Sequence, residues 1–313
     1  MKNKYAINKE FFPFSILKPP IRNAKIAGWL GEKMKAPRWI FHDKKISVIK
    51  EKIKSFDDNF IDVLIMKPKD NFNILPCLVY YHGGGFFFGA AGYHYKLAKD
   101  YVLNTPCILV FVQYRLAPKN PHPIPSKDCY EALKWTYFNA KRLKIDKSKV
   151  AVGGDSAGGA LAAAVCQMSR DYNTDMPLFQ LLIYPVINYK METVSSKMFT
   201  NTPMWNSKLS KKMWDGYIQN DKTNLCYASP SEAETFINLS SAYIETAEFD
   251  CLHDEAIEYA KKLKESNVSV EINETKETMH GFDIVRKAKI TKNAIETRIN
   301  YMKRKFYIFL KDN

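Results

Sequence analysis

The segment from Lys149 to Gly159 constrains this chain more than any other part of its sequence. It reads KVAVGGDSAGG, so a short β-branched run leads into a Gly-x-Ser-x-Gly pattern centred on Ser156, and an alanine-rich helical pattern follows. This strand–turn–helix context is typical of a nucleophile elbow, a sharp turn that exposes a serine hydroxyl. Glycines beside the serine permit both the strained turn and a close approach of strand and helix. An ordinary glycine-rich turn with an incidental serine is the alternative interpretation.

A second glycine cluster could stabilise a negative charge near that serine. The apolar run from Leu78 to Tyr81 predicts a buried strand, and it leads into His82, three glycines and Phe86. Consecutive glycines let backbone N–H groups point toward a carbonyl oxygen that becomes negative, and each such donor lowers a reaction barrier by roughly 3–4 kcal/mol in comparable sites. A flexible glycine turn is the alternative, but the apolar strand before the cluster and the aromatic residues after it disfavour a mobile linker.

A general base should follow Ser156, because hydrolases with this elbow place Asp or Glu and then His after the serine. Only His253 and His280 follow it in the chain. His253 begins an amphipathic helical stretch, where a histidine is usually a surface or capping residue. His280 lies in a loop pattern after a strand-like run from Val268 to Ile272. We therefore predict that His280 is the base.

The candidate acid is Asp250, which follows the strand predicted from Ser241 to Ala247. Sheets of α/β proteins carry their working residues at strand ends, and an aspartate beside the histidine would fix its tautomer and stabilise its protonated form. Asp250 could instead cap the helix predicted from Leu252 to Ser266. Asp254, one turn into that helix, is the alternative acid.

In combination, these segments resemble the hormone-sensitive-lipase-like branch of the α/β-hydrolases, the bacterial family IV of acetyl-esterase-like enzymes. The resemblance extends from about residue 76 to residue 283. It is carried by His82-Gly83-Gly84-Gly85-Phe86, Tyr114-Arg115-Leu116-Ala117-Pro118, Asp128-Cys129-Tyr130-Glu131-Ala132-Leu133-Lys134-Trp135, Gly154-Asp155-Ser156-Ala157-Gly158-Gly159, Asp250 with Leu252 and Asp254-Glu255-Ala256, and His280-Gly281-Phe282.

This resemblance implies catalytic roles for the candidate residues. Ser156 would be the nucleophile, His280 the base and Asp250 the orienting acid. His82 would be a structural residue of its loop. No metal or cofactor is implied. For the oxyanion hole, the resemblance implies three backbone N–H donors, those of Gly83, Gly84 and Ala157.

The order of predicted elements indicates the fold class. Strand-like and helical patterns alternate from about Ile46 onward, which predicts an α/β fold with a mostly parallel central sheet covered by helices on both faces. The resemblance implies the α/β-hydrolase fold with a helical cap. We predict a catalytic core of residues 46–187 and 231–313 and a cap of residues 1–45 and 188–230. Met and aromatic residues are frequent in 188–230 and would suit an adaptable apolar wall over an acyl pocket.

Charge and cysteine placement limit the partners that this chain is expected to have. Its 47 Lys and Arg oppose 33 Asp and Glu, giving a net charge of +14, and 39 of those cations are lysine. Nucleic-acid recognition favours arginine, and no nucleic-acid motif is present. Six widely spaced cysteines without metal-type spacing predict reduced thiols in a cytoplasmic protein. No run approaches the ~18 apolar residues of a membrane span, and no signal-peptide core follows the first lysines.

The predicted function is that of a serine carboxylester hydrolase. Its substrates are expected to be small, uncharged short-acyl esters, a class that rests on the family resemblance. An amidase, deacetylase or peptidase would use the same triad and stays open. A non-catalytic small-molecule binder on the same fold is a further alternative, which the presence of His280 disfavours. A small ester is the expected partner, and a homodimer stays open.

Overall fold

In a computed structural model, the chain is described from residue 4 to residue 307, apart from residues 18–28, 30, 32, 72 and 220. The strands are β1 (Ile46–Lys54), β2 (Phe60–Pro68), β3 (Leu75–Tyr81), β4 (Ile108–Gln113), β5 (Ile145–Asp155), β6 (Phe179–Ile183), β7 (Ser241–Phe249) and β8 (Val270–Met279). The helices are α1 (Arg38–Phe41), α2 (Gly92–Asn104), α3 (Ile124–Phe138), α4 (Ala140–Leu143), α5 (Ala157–Asp171), α6 (Val194–Met198), α7 (Ser207–Ile218), α8 (His253–Glu265) and α9 (Lys289–Tyr307).

The strands form a single eight-stranded sheet in the order β1-β2-β4-β3-β5-β6-β7-β8. β1 and β2 pair antiparallel with each other, and β2 pairs antiparallel with β4. The pairings from β4 through β8 are parallel. This mostly parallel sheet confirms the predicted fold class. β5 lies in the middle of the parallel part, so its carboxyl end is at the edge where α/β sheets place their ligands.

Both faces of the sheet are buried, and β3 shows this clearly. Side chains of a strand alternate between the two faces. Val79 and Tyr81 belong to the apolar cluster that includes residues of α3, α5 and α8. Leu78 and Tyr80 belong to the opposite cluster, which includes residues of α2 and α9. A strand that is buried on both faces has no solvent-exposed positions for polar side chains, which explains why β3 is a continuous apolar run in the sequence.

The segments predicted to form a cap touch each other where the structure describes them. The backbone N–H of Met204 donates to the carbonyl of Leu17 at 2.8 Å. The ring of Tyr5 packs against that of Phe199, with 5.8 Å between the ring centroids. The grouping of 1–45 and 188–230 as one cap stays a prediction. Residues 1–3, 18–28, 30, 32 and 220 of these segments lie outside the described residues.

Two further expectations concern the state of the six cysteines and the presence of membrane-spanning helices. All six cysteines are free thiols, and burial raises the pKa of several of them, including Cys77, Cys129 and Cys251. A raised pKa keeps a thiol protonated and unreactive. Among the described residues, no helix combines the length and the apolar character needed to cross a membrane.

Candidate active site

Ser156 lies at a sharp turn between β5 and α5, as the nucleophile-elbow pattern predicts. Its backbone has φ +55° and ψ −118°, a strained conformation for a residue with a side chain. Close backbone contacts account for the flanking glycines. A Cβ on Gly154 would lie 2.3 Å from the carbonyl oxygen of Gly158, and a Cβ on Gly158 would lie 1.9 Å from that of Tyr81. Any larger residue at these positions would separate the helix from the sheet.

Hydrogen bonds to β6 and the segment after it hold the strained turn. The Ser156 N–H donates to the carbonyl of Ile183 at 2.8 Å, and the Val186 N–H donates to the carbonyl of Ser156 at 3.1 Å. Strained backbone persists where the surrounding structure fixes it on several sides. α5 begins immediately after the serine, so its free N–H groups and positive dipole end lie beside the hydroxyl.

The structure brings together the three residues predicted as a triad. His280 Nε2 lies 2.9 Å from Ser156 Oγ, and His280 Nδ1 lies 2.6 Å from Asp250 Oδ2. The other carboxylate oxygen of Asp250 accepts a hydrogen bond from the Leu252 N–H at 3.0 Å. Asp250 is fully buried. Because a carboxylate can only accept, Nδ1 of His280 carries a proton and Nε2 is free to accept from the serine.

Strand register explains why Asp250 and His280 meet. Phe249 and Met279 are partners in the parallel pairing of β7 with β8. Asp250 and His280 are the first residues after these two strands, so they leave the sheet at the same level. β8 runs to Met279, whereas the sequence predicted a strand ending near Ile272 followed by a loop. His280 is therefore held by the end of a strand and not by a long loop.

His253 and Asp254, the alternative candidates for base and acid, contact each other away from Ser156. His253 Nδ1 lies 2.8 Å from Asp254 Oδ1, and His253 Nε2 lies 3.2 Å from Glu274 Oε2. The second oxygen of Asp254 accepts from the Ser195 N–H at 2.7 Å. Asp254 thus helps to fasten the segment around α6 to the start of α8, and neither residue of this pair reaches Ser156.

The structure departs from the sequence prediction at Gly83. Its N–H donates to Asp155 Oδ1 at 3.0 Å, so it is engaged inside the protein and is not directed at a substrate. Gly84 and Gly85 line the cavity that contains Ser156, with φ values of +120° and +59° that favour glycine. Within the described part of the chain, no acceptor is bonded to the N–H of Gly84, Gly85 or Ala157. The sequence alone did not reveal which of the three consecutive glycines direct their N–H groups toward the cavity.

A small cavity of about 140 Å³ opens beside the serine. It is bounded on one side by Ser156, His280 and the glycine loop and on the others by apolar and aromatic side chains. These wall residues come from the segment after β3, from α2, from the segment before α7, and from the turn after His280: Phe88, Tyr93, Met204, Trp205 and Ile284.

Asp155, next to the serine, was missed as a site residue. Only 1% of its surface is exposed, and it lines the cavity. Burial acts to raise the pKa of this carboxyl, but the electrostatic interaction with His94 and the hydrogen bonds from His94 and Tyr80 outweigh it and hold the pKa at about 2. The Gly-Asp-Ser-Ala-Gly pattern contained the residue. Its partner His94 carries no local sequence signal, because α2 brings it to the site only in the fold.

His82 is a structural residue in the fold, as the family resemblance implies. Its Nδ1 donates to the Gly83 carbonyl at 2.7 Å, and its ring stacks on Tyr114 at 4.5 Å between centroids. Burial and the nearby His94 together lower the pKa of His82 to about 4, against the backbone hydrogen bond to Gly83 that raises it.

Tyr184 connects the base to a buried charged cluster. Its ring packs edge-to-face on His280, with 4.8 Å between centroids, and its hydroxyl donates to Asp283 Oδ1 at 2.6 Å. Arg298 of α9 donates to Asp283 Oδ2 at 2.8 Å and to Glu245 of β7 at 3.2 Å. The loop that follows His280 is thereby tied to the last helix.

The chain is similar to known proteins over much of its length. A family model for the alpha/beta hydrolase fold matches residues 78–284. Carboxylesterase NlhH of Mycobacterium tuberculosis is 35% identical over 213 residues, which are 66% of this chain and 66% of that enzyme. The putative alpha/beta hydrolase R526 of Acanthamoeba polyphaga mimivirus is 30% identical over 254 residues, covering 79% of this chain and 73% of the relative. The alignment to the mycobacterial enzyme thus spans just under two thirds of that relative's length.

Solved structures are similar over nearly the whole chain. A bacterial heroin esterase has a TM-score of 0.84 at 28% identity, and the match covers 96% of this chain and 98% of that one. The family model spans well over half of the chain, and the described triad geometry falls within it. The chain therefore belongs to the α/β-hydrolase family, in its hormone-sensitive-lipase-like branch.

Proposed function

We propose that this protein hydrolyses small, short-acyl carboxylic esters, with Ser156, His280 and Asp250 as its catalytic triad. The observation that carries the proposal is the continuous hydrogen-bonded line from Asp250 through His280 to Ser156, which ends at the cavity. The names of the relatives, carboxylesterase and esterase, support the same reaction class.

Acylation begins when Ser156 Oγ attacks the ester carbonyl and its proton passes to His280 Nε2, 2.9 Å away. The carbonyl oxygen becomes negative and accepts hydrogen bonds from the N–H groups of Gly84, Gly85 and Ala157. Such fixed donors stabilise the tetrahedral intermediate without reorganising at the moment of reaction. The buried Asp250 carboxylate stabilises the imidazolium and keeps the ring in place.

Collapse of the intermediate breaks the bond to the alcohol oxygen. His280 gives its proton to the departing alkoxide, and the acyl group stays on Ser156. Water then attacks the acyl-enzyme, with His280 as base again, and releases the carboxylic acid and the free serine. Every step uses groups of the protein and water.

The cavity supports a small substrate. Its volume of about 140 Å³ lies well below the ~300–1,000 Å³ that is usual for pockets of drug-sized ligands. Apolar walls from Phe88 and Trp205 suit an uncharged acyl chain. Residues 1–45 and 188–230 would form the cap over this pocket, with the core in 46–187 and 231–313. A homodimer stays a prediction of the sequence.

Replacement of the nucleophile tests this proposal. We expect Ser156→Ala to lower kcat for 4-nitrophenyl acetate on the order of 10⁶-fold, because the attacking oxygen is gone. Circular dichroism and the thermal midpoint should stay near the wild-type values. Ser169→Ala removes a buried serine from the same helix, far along α5 from the cavity, and serves as the control that keeps its activity. Unchanged ester turnover in Ser156→Ala would remove this serine from the mechanism.

The ester assignment is tested against its amidase alternative with the same enzyme. We expect kcat/KM for 4-nitrophenyl acetate to exceed that for 4-nitroacetanilide, since 4-nitrophenolate leaves more readily than the anion of 4-nitroaniline. Faster cleavage of the anilide would replace the esterase proposal by an amidase.

A further inference from the structure

The carboxylate of Asp155 collects three hydrogen bonds from three separate segments. Its Oδ1 accepts from the Tyr80 hydroxyl at 2.7 Å and from the Gly83 N–H at 3.0 Å. Its Oδ2 lies 3.1 Å from His94 Nε2. Tyr80 belongs to β3, His94 to α2, and Gly83 to the glycine loop after β3. Asp155, the residue before Ser156, therefore joins the end of β5 to the glycine loop that faces the substrate.

The tautomer of His94 is fixed by its backbone partner. The Ala91 N–H donates to His94 Nδ1 at 2.9 Å, so this nitrogen must be the acceptor. The proton of the ring is then on Nε2 and is donated to Asp155. Each of the three groups around the carboxylate is thus a donor, and a buried carboxylate needs such donors in place of water.

The glycine loop is held at both ends, and between them the N–H groups of Gly84 and Gly85 have no acceptor among the described residues. At its start, Gly83 is bonded to Asp155 and packs so closely that a Cβ would lie 2.3 Å from Asp155 Oδ2. At its end, the Phe86 carbonyl accepts from the Ala117 N–H at 2.9 Å, and the Phe86 ring stacks on Tyr217 at 3.7 Å between centroids.

The backbone of this loop is strained, so it needs such anchors. Phe86 has φ +63°, an unfavourable value for a residue with a side chain, and Gly84 and Gly85 also have positive φ. A strained backbone persists only where its surroundings determine it. The two anchored ends leave the N–H groups of Gly84 and Gly85 for the substrate.

We propose that Asp155, with Tyr80 and His94, is a positioning residue that fixes the oxyanion loop so that Gly84 and Gly85, and not Gly83, present their N–H groups to the substrate oxygen. The proposal rests on the esterase function proposed above. Asp155 does not contact the reacting atoms in this account. It acts through the position of the loop, so its loss should weaken stabilisation of the oxyanion more than binding of the ester.

The test compares 4-nitrophenyl acetate with its thionoacetate, in which sulfur replaces the carbonyl oxygen. Sulfur accepts hydrogen bonds poorly, so a well-placed oxyanion hole favours the oxygen ester. In Asp155→Asn the new NH₂ group would face donors, and we expect kcat for the oxygen ester to fall about 10²-fold, the effect of losing one oxyanion donor. KM should change little, and the oxo-to-thiono rate ratio should fall with kcat.

Two further variants separate an effect on the oxyanion loop from a general loss of stability. Tyr80→Phe removes one hydroxyl donor at nearly constant size and should lower the ratio in the same direction, by less. Asp128→Asn is the matched control, because Asp128 is a fully buried carboxylate bonded to Arg115 and Ser55, outside the cavity. It should lower the thermal midpoint and leave the ratio unchanged.

The outcomes separate this proposal from the esterase function itself. A wild-type ratio retained in folded Asp155→Asn and Tyr80→Phe would overturn the positioning role while the esterase function stands. If Asp155→Asn does not fold, the ratio in Tyr80→Phe decides. A wild-type enzyme that hydrolyses neither ester would refute the proposed function, and the positioning role with it.

Discussion

Two aspartates four residues apart are in different environments, although the sequence offered both as the acid. Asp250 is fully buried and contacts His280 Nδ1 at 2.6 Å. Asp254 is partly exposed and is bonded to His253 and to the backbone of Ser195. Only the first can hold the tautomer that leaves Nε2 of His280 free for the serine.

A pair of matched variants distinguishes these aspartates. Asp250→Asn keeps the shape but presents an amide to the ring, which favours the wrong tautomer, and we expect kcat to fall about 10³–10⁴-fold. Asp254→Asn keeps an acceptor for the Ser195 N–H and should retain nearly all of its activity. Both are measured by steady-state hydrolysis of 4-nitrophenyl acetate, with the thermal midpoint as a check on folding. The reverse order of effects would assign the acid to Asp254.

The elements of the site differ in how much of them the sequence could predict. The elbow was predictable because its glycines are dictated by local contacts around Ser156. β8 was predicted too short because it is an edge strand, and its exposed positions such as Glu271 and Lys276 hide the apolar pattern. The bond between Gly83 and Asp155 depends on where two neighbouring strands end, which no local pattern contains.

The segment before α7 contributes a wall that sets the size of the cavity. The indole of Trp205 lies over Gly85, since a Cβ on that glycine would come within 2.8 Å of the ring. Its Nε1 donates to Ser210 Oγ of α7 at 2.8 Å, so the ring is fixed in place. The ring also packs near His280, with 6.0 Å between centroids. We therefore expect a rigid ring at this place to limit the length of the acyl chain.

Trp205→Ala should therefore shift the acyl preference toward longer chains. Each methylene that newly becomes buried is worth about 0.8 kcal/mol, or roughly fourfold in kcat/KM. The measurement is a series of 4-nitrophenyl esters from acetate to decanoate. Trp135→Ala removes an indole of the same size from α3, away from the cavity, and should leave the series unchanged in shape. An unaltered preference in Trp205→Ala would mean that the acyl chain does not lie against this ring.

At the scale of the whole molecule, α9 is connected to His280 through a buried charged cluster. Arg298 of α9 is fully buried and bonds to Glu245 and Asp283, and Asp283 in turn accepts from Tyr184 beside His280. α9 thus does more than pack on the sheet. This helix, far from Ser156 in sequence, therefore holds the turn that follows His280.

Arg298→Met tests the contribution of this cluster to the whole fold. It leaves Glu245 and Asp283 buried without their cation, and we expect the free energy of unfolding to fall by about 3–5 kcal/mol, as when one partner of a buried ion pair is removed. Urea denaturation followed by circular dichroism measures it. Arg304→Met, on the same helix, breaks a pair with Glu271 in which both side chains are nearly half exposed. Its cost should stay within about 1 kcal/mol, because solvent screens such pairs. Equal losses in the two variants would show that α9 is held by apolar packing alone and that the buried cluster adds no stability.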